Sequence, residues 1–323
     1  MRTTVRPLAL LAAALAVLAA CSEPTPAPGN SAAELRVGPL TTQNTLTLAT
    51  RGGALANEVA RSGGSLQLPA TFPAFAPAAQ AMAAGQIDVT TGSATALIPA
   101  LQGNPDLVVF AVEANDNDTQ GIVAGARTGI ASVSDLAGHT VAVNEGGTGD
   151  YLLRVALAQA GMDIDDVEPV YLSPPDAATA FAGGQVDAWA TWDQYLVSAE
   201  RLPGATLVAL ARDIGATNPT VHVVSRSLVT AHPDLVRALY RALEAQAEAV
   251  VASPTELEAA YRDAGAAPEV AAAIAAKRPP RIVPADDSFA EELAAVAQFY
   301  QAHGMTTTTT DVSQAVVDVR DLP

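Results

Sequence analysis

From Glu34 onward the chain alternates short apolar runs with longer Ala-rich segments whose apolar residues recur every three or four positions. Apolar runs bounded by turn residues predict buried strands over 35–38, 66–70, 87–91, 107–112, 140–144, 169–172, 188–191, 206–210 and 221–225. Helical spacing predicts helices over 45–62, 74–84, 94–101, 151–160 and 176–182. Strands alternating with helices imply parallel sheet covered by helices, an α/β architecture. Past residue 231 the pattern changes. Leu235, Leu239 and Leu243 form one i, i+4 row and Leu293, Val296 and Tyr300 another, predicting a helical C-terminal third that ends near Val317.

The chain also repeats itself. Ala81-Met-Ala-Ala-Gly-Gln-Ile-Asp88 returns 99 residues later as Ala180-Phe-Ala-Gly-Gly-Gln-Val-Asp187, identical at five of eight positions. Each copy reads as a helix end with a glycine cap, followed by a turn into a buried strand. Two α/β lobes of similar design are therefore expected.

Composition changes the picture at the front of the chain. Arg2 and Arg6 precede an apolar stretch over 8–20, which closes at Leu18-Ala-Ala-Cys21. A basic start, a short apolar run and small residues before a cleavage point predict a secretory leader over 1–20. The run resembles a bacterial lipobox, which implies lipidation at Cys21, and as the sole cysteine it has no disulfide partner. The Pro- and Ser-rich stretch over 21–33 reads as a flexible tether. The whole chain carries a formal charge of −17, which argues against nucleic acid or an anionic membrane surface as a partner.

Three strand-to-helix junctions offer chemistry, because open α/β sheets bind ligands beyond the carboxyl ends of their strands. The first is Gly92-Ser93, with Ser93 placed to cap the next helix. The second is Glu145-Gly-Gly-Thr-Gly149 before Asp150, where glycines permit close backbone approach and helix-terminal amides point at the cleft. That loop lacks the Gly-Lys-Ser/Thr of a phosphate loop. The third is Trp192-Asp193-Gln194-Tyr195. In a chain with 4% aromatic residues, Trp189 and Trp192 flank one strand end and suggest a ligand-facing wall. Asp116, Asp118, Glu145, Asp150 and Asp193 all fall near this expected cleft. The four histidines stand apart, at His139, His222, His232 and His303, and no histidine, cysteine and carboxylate spacing suits a metal or a nucleophilic centre. No catalytic residue, metal site or cofactor is expected.

Residues 138–193 resemble the periplasmic solute-binding proteins of ABC importers for sulfonates, taurine and nitrate, relatives of the thiamine-precursor binding proteins. The resemblance rests on Asp135-Leu-Ala-Gly138, Val141-Ala-Val-Asn144, the Gly-Gly-Thr loop, Tyr151-Leu-Leu153, Tyr171-Leu-Ser-Pro-Pro-Asp-Ala177, Gly184-Gln-Val-Asp-Ala-Trp189 and Trp192-Asp193. It implies a type II periplasmic-binding-protein fold, with two lobes joined by a two-strand hinge. Lobe 1 would take 34–115, lobe 2 would take 116–215, and 216–323 would return to lobe 1 with the C-terminal helices. Family ligand contacts map onto Gly92, Ser93, Ala94, Gly147, Thr148, Tyr151, Trp192 and Asp193. Main-chain amides at Ser93 and Thr148 would hold a polar head, Trp192 would cover the organic part, and Asp193 would accept a hydrogen bond or balance positive charge.

The implied role is that of a monomeric, lipid-anchored, extracytoplasmic binding protein, in the periplasm or on the outer face of the cell membrane. It would close on a small sulfonate- or taurine-like anion and pass it to an ABC permease. Departures from the family pattern keep other ligands open: Glu145 stands where a basic residue is common, Asp150 where a histidine is common, and Gln194 where proline is usual. A neutral or cationic amine, or a pyrimidine-type thiamine precursor, would fit the same role. A ligand-sensing module for a receptor and a pyrimidine-synthase-like enzyme are the alternatives of other classes.

Overall fold

The computed structural model describes residues 33–114, 118–277 and 281–323. The leader, the tether up to residue 32, the lipidation site Cys21, Asp116 and the expected lobe boundary at residue 115 lie outside the described residues. In chain order the strands are β1 (Glu34–Gly38), β2 (Ser65–Gln67), β3 (Val89–Ser93), β4 (Leu107–Ala114), β5 (Gln120–Ala124) and β6 (Thr140–Val143). They continue as β7 (Glu168–Tyr171), β8 (Ala188–Trp192), β9 (Thr206–Leu210), β10 (Thr220–Ser225) and β11 (Arg281–Pro284). The helices are α1 (Thr45–Arg51), α2 (Ala54–Arg61), α3 (Phe75–Ala83), α4 (Ala94–Gly103), α5 (Thr148–Gln159) and α6 (Pro174–Ala182). After them come α7 (Asp193–Glu200), α8 (Arg226–Ala231), α9 (Pro233–Ala252), α10 (Pro254–Asp263), α11 (Pro268–Ala275) and α12 (Asp287–Ala302).

The strands form a first sheet in the order β11-β4-β10-β3-β1-β2 and a second in the order β7-β6-β8-β5-β9. The chain builds β1 to β4 in the first sheet, crosses to build β5 to β9 in the second, and returns through β10 and β11. Both sheets are mixed. The helix-linked strands β2, β1 and β3, and likewise β7, β6 and β8, run parallel as expected. The crossing strands β10 and β5 pair antiparallel with both of their neighbours, which strand–helix alternation alone does not foretell.

Several expectations are corrected. The helix expected over 45–62 is two helices, broken where Gly53 takes a left-handed φ of 75°. The strand over 66–70 stops at Gln67, and the helix after the glycine loop begins at Thr148 rather than Tyr151. The C-terminal third is not wholly helical: β11 pairs with β4, and Val316 bridges to Val109. Three further elements had no forecast: β5, whose five residues are all buried, α7 and α8.

The i, i+4 row of α9 does what its spacing predicts. Leu235, Leu239 and Leu243 are buried with Val37, Leu55, Val59 and Phe110 between the first sheet and its covering helices. Each buried leucine contributes about 1.5–3 kcal/mol of transfer free energy. Among the described residues no helix is long and apolar enough to cross a membrane.

The sequence repeat is a structural one. In the first copy Gly85 has φ 65°, and Gln86 N donates back to Ala81 O at 2.8 Å. In the second Gly184 has φ 66°, and Gln185 N donates to Ala180 O at 2.9 Å. Both are helix ends closed by a left-handed glycine, the conformation that a side chain disfavours. The aspartate that ends each copy then clasps the neighbouring strand. Asp88 N donates to Arg36 O at 2.7 Å while Arg36 N donates to Asp88 Oδ2 at 3.0 Å. Asp187 and Thr140 exchange the same two bonds, both at 3.0 Å.

Candidate functional site

The ends of β3, β6 and β8, the two chain crossings and the C-terminal helices enclose a cavity of about 220 Å³. Gly92, Ser93 and Ala96 line it from the first sheet, Asn144, Thr148, Trp192 and Asp193 from the second, and Gln120, Asn218 and Thr220 from the crossings. Phe75, Leu48 and Leu257 add apolar wall, and Glu113, Tyr261 and Lys277 add titratable groups.

Of the eight contacts that the family resemblance implies, five stand at this cavity: Gly92, Ser93, Thr148, Trp192 and Asp193. Gly92 is needed there because a Cβ would come within 2.5 Å of the Phe75 ring. Ala94 is fully buried, and its N–H donates to Pro219 O at 3.0 Å. Gly147 is the N-cap of α5, and its N–H donates to Asn144 O at 3.2 Å. Tyr151 lies in the core, edge-on to Phe299 and stacked on Tyr300, because it follows the capped first turn of α5 onto that helix's inner face. Its hydroxyl is pushed up to about 12 by burial.

The glycine loop serves α5 more directly than a ligand. A Cβ on Gly147 or Gly149 would collide with Asn144, and at Gly149 also with the Ala190 carbonyl. That room lets Asn144 Oδ1 accept Gly149 N at 2.8 Å. The start of α4 is equally committed: Thr95 N donates to Asn218 Oδ1 at 3.0 Å and Ala96 N to Ser93 Oγ at 3.2 Å. Helix-terminal amides are ready anion donors only when unpaired. Here protein oxygens take those following Ser93. What Ser93 and Thr148 present to each other is hydroxyls, with Thr148 Oγ1 donating to Ser93 Oγ at 3.2 Å.

Two acids shape the field. Glu113 Oε1 accepts Thr45 N at 2.8 Å and stands 3.1 Å from His222 Nε2, in ion-pair range but outside hydrogen-bond geometry. His222 Nδ1 is 2.9 Å from Thr91 Oγ1. Burial is the largest influence on Glu113 and pushes its carboxyl up. The contacts with His222 and Thr45 together outweigh it, so the group sits below the usual range. Asp193 goes the other way: burial raises its carboxyl to about 6, although Tyr261 donates to Oδ1 at 2.6 Å. Asp193 also holds a left-handed φ of 51°, a strained backbone for a residue with a side chain. Lys277 Nζ reaches the wall while donating to Asp118 O at 2.8 Å.

The other acids expected near the cleft are spent elsewhere. Asp150 is buried, accepts Gly146 N at 3.0 Å and pairs with Arg154 Nε at 2.8 Å. Glu145 is exposed. Trp189 packs in the core against Phe181 and Tyr195, so Trp192 alone of the two tryptophans faces the cavity.

The sequence pattern described as NMT1/THI5 like matches residues 71–257, more than half of the chain. The chain belongs to the NMT1/THI5-like family. A protein of Escherichia coli (strain K12) provisionally named as an aliphatic sulfonates-binding protein is 36% identical over 146 residues, 45% of this chain and 46% of that protein. The taurine-binding periplasmic protein of the same strain is 28% identical over 187 residues, 57% of each. The chain thus matches about half the length of these curated relatives. Among solved structures, the alkanesulfonate-binding protein SsuA of Xanthomonas axonopodis pv. citri, bound to MOPS, superposes with a TM-score of 0.81 at 26% identity. That alignment covers 88% of this chain and 98% of SsuA, so the NMT1/THI5-like chain has the periplasmic-binding-protein fold that the resemblance implied. The relatives carrying these names are binding proteins.

Proposed function

We propose that this protein is the extracytoplasmic binding component of an ABC importer and captures a small organic sulfonate between two lobes, 34–115 with 216–323 and 116–215. The observation that carries the reading is the meeting of Ser93 and Thr148, whose hydroxyls face each other at 3.2 Å at a cavity walled by Trp192 and Phe75. A sulfonate oxygen between them would accept from both, and the indole would cover the organic part. Closure follows from differential contact, since only the closed state lets one ligand touch both sheets. The names of the matching relatives support the ligand class. Binding without turnover, lipidation at Cys21, a monomeric state and hand-over to a permease belong to the same reading.

Glu113 and Asp193 favour a second form of it. Two carboxyls at the wall suit a ligand whose far end is cationic, an aminosulfonate or an amine. A thermal-shift screen of ethanesulfonate, 2-aminoethanesulfonate, nitrate, simple amines and thiamine precursors tests both forms. A raised melting temperature with the two sulfonates is expected, and a response to amines or pyrimidines alone would overturn the sulfonate reading.

A further inference from the structure

The polar groups between the two sheets close into a ring whose protons run one way. Thr95 N is a donor only, so the side-chain atom of Asn218 that it meets at 3.0 Å is the oxygen, Oδ1. Thr95 Oγ1 donates to the same oxygen at 2.9 Å. The nitrogen end of Asn218 is thereby turned the other way, where Nδ2 donates to Thr148 Oγ1 at 3.0 Å and to Gln120 Oε1 at 3.2 Å. Thr148 passes its own proton to Ser93 Oγ. Because the Thr95 proton is already committed, the 3.1 Å contact between Ser93 and Thr95 leaves Ser93 as its donor. Gln120 Nε2 fixes the arrangement from behind by donating to the Asn218 carbonyl at 2.8 Å.

These groups come from four places in the chain: the start of α4, the start of α5, the first residue of β5 and the return from β9 to β10. Asn218, on that return and 1% exposed, touches the other three.

We propose that Asn218 is a positioning residue, which ties both chain crossings to the starts of α4 and α5 and fixes the direction in which Thr148 offers its hydroxyl proton. The inference rests on the sulfonate reading of the cavity. With one lone pair of Thr148 Oγ1 filled from Nδ2, the Thr148 proton points away from Asn218 and toward Ser93. A ligand oxyanion arriving between the two hydroxyls accepts from Thr148 as it stands, and the Ser93 hydroxyl has only to swing its proton from Thr95 Oγ1 to the ligand. If an oxygen replaced Nδ2, Thr148 would find a stronger acceptor behind it and its proton would leave the ligand.

Asn218→Ala and Asn218→Asp, each made with Thr148 kept and with Thr148→Val, test this by calorimetric titration of ethanesulfonate. Asn218→Asp keeps the acceptor for Thr95 and changes only the donor end, so it serves where Asn218→Ala does not fold. Either substitution is expected to weaken binding by about tenfold or more when Thr148 is present. The loss should be about tenfold smaller when position 148 is already Val, because no hydroxyl is left to orient. A merely structural role, or charge repulsion from the new Asp, predicts the same loss in both backgrounds, and that result would overturn the proposal. Should the unsubstituted protein bind neither ethanesulfonate nor 2-aminoethanesulfonate, the sulfonate reading fails by itself. The ring is then read from ligand-free melting temperatures, where non-additive shifts for Asn218→Asp and Thr148→Val support it and additive shifts overturn it.

Discussion

Five residues beyond Asp88 in the first sheet, and five beyond Asp187 in the second, a strand ends and a helix begins at the cavity. In the first sheet that residue is Ser93, which caps α4 with its side chain and joins the hydroxyl ring. In the second it is Trp192, which caps nothing and is followed by the strained Asp193. One position earlier stand Gly92, pressed against Phe75, and Thr191, whose buried hydroxyl has no hydrogen-bond partner among the described residues. A shared backbone therefore decides where the two helices start. The residues that the two copies do not share decide what those starts do: one holds a polar head and the other presents an aromatic face beside a carboxyl.

Making the copies alike is the strongest way to break that division. Gly92→Thr gives the first sheet the residue of the second and drives a Cβ into Phe75. Overpacking of this kind costs about 3 kcal/mol, so urea unfolding should show a clear loss of stability together with loss of ligand binding. Trp192→Ala removes the aromatic face without touching either clasp. It should weaken ethanesulfonate binding by roughly 30-fold, about 2 kcal/mol, with an unchanged circular dichroism spectrum.

The clasps themselves test whether the copies are mechanically equivalent. Asp88 holds the Arg36 guanidinium at 2.6 Å as well as its amide, whereas Asp187 holds the Thr140 amide and, at 2.9 Å, its hydroxyl. Asp88→Ala should cost about 2 kcal/mol and Asp187→Ala about 1 kcal/mol in thermal unfolding, the difference being the charge-assisted bond, reduced by partial exposure of Arg36.

The smallest effect separates the two sheets by pH. Asp193, facing Tyr261, Glu113 and Lys277, has its carboxyl raised to about 6, so the folded protein holds this proton more tightly than the unfolded chain does. Its contribution to stability is complete in acid and falls as pH rises from the ordinary carboxylate range through about 6. An amine-bearing ligand needs the ionised carboxylate. The affinity for 2-aminoethanesulfonate relative to ethanesulfonate should therefore rise severalfold across that interval, and Asp193→Asn should flatten the rise.

What could be read in the sequence was local. The repeat, the left-handed glycines, the Ser93 cap and the α9 leucine row all announce themselves within a few residues, and the structure has each of them. The missing parts of the site are long-range. Asn218 sits in Gly-Ala-Thr-Asn-Pro, which reads as a turn, and meets Thr95 across 123 residues. Tyr261 and Lys277 look like ordinary helix positions until α10 and α11 carry them to the wall. Glu113 falls just past the strand expected over 107–112 and is carried to the wall by the longer β4. Ala94, Gly147 and Tyr151 entered by resemblance, and no local signal distinguished a lining position from a packed one. The glycine loop has a packing use that its sequence does not announce, since close approach there makes room for Asn144 and the Ala190 carbonyl.

The most direct measurement is a crystal structure of the protein grown with 2-aminoethanesulfonate. The account predicts the sulfonate between the hydroxyls of Ser93 and Thr148, with their direct bond replaced by bonds to the ligand, the chain against Trp192 and the ammonium toward Asp193. A ligand bound elsewhere, with Ser93 and Thr148 still bonded to each other, would contradict it.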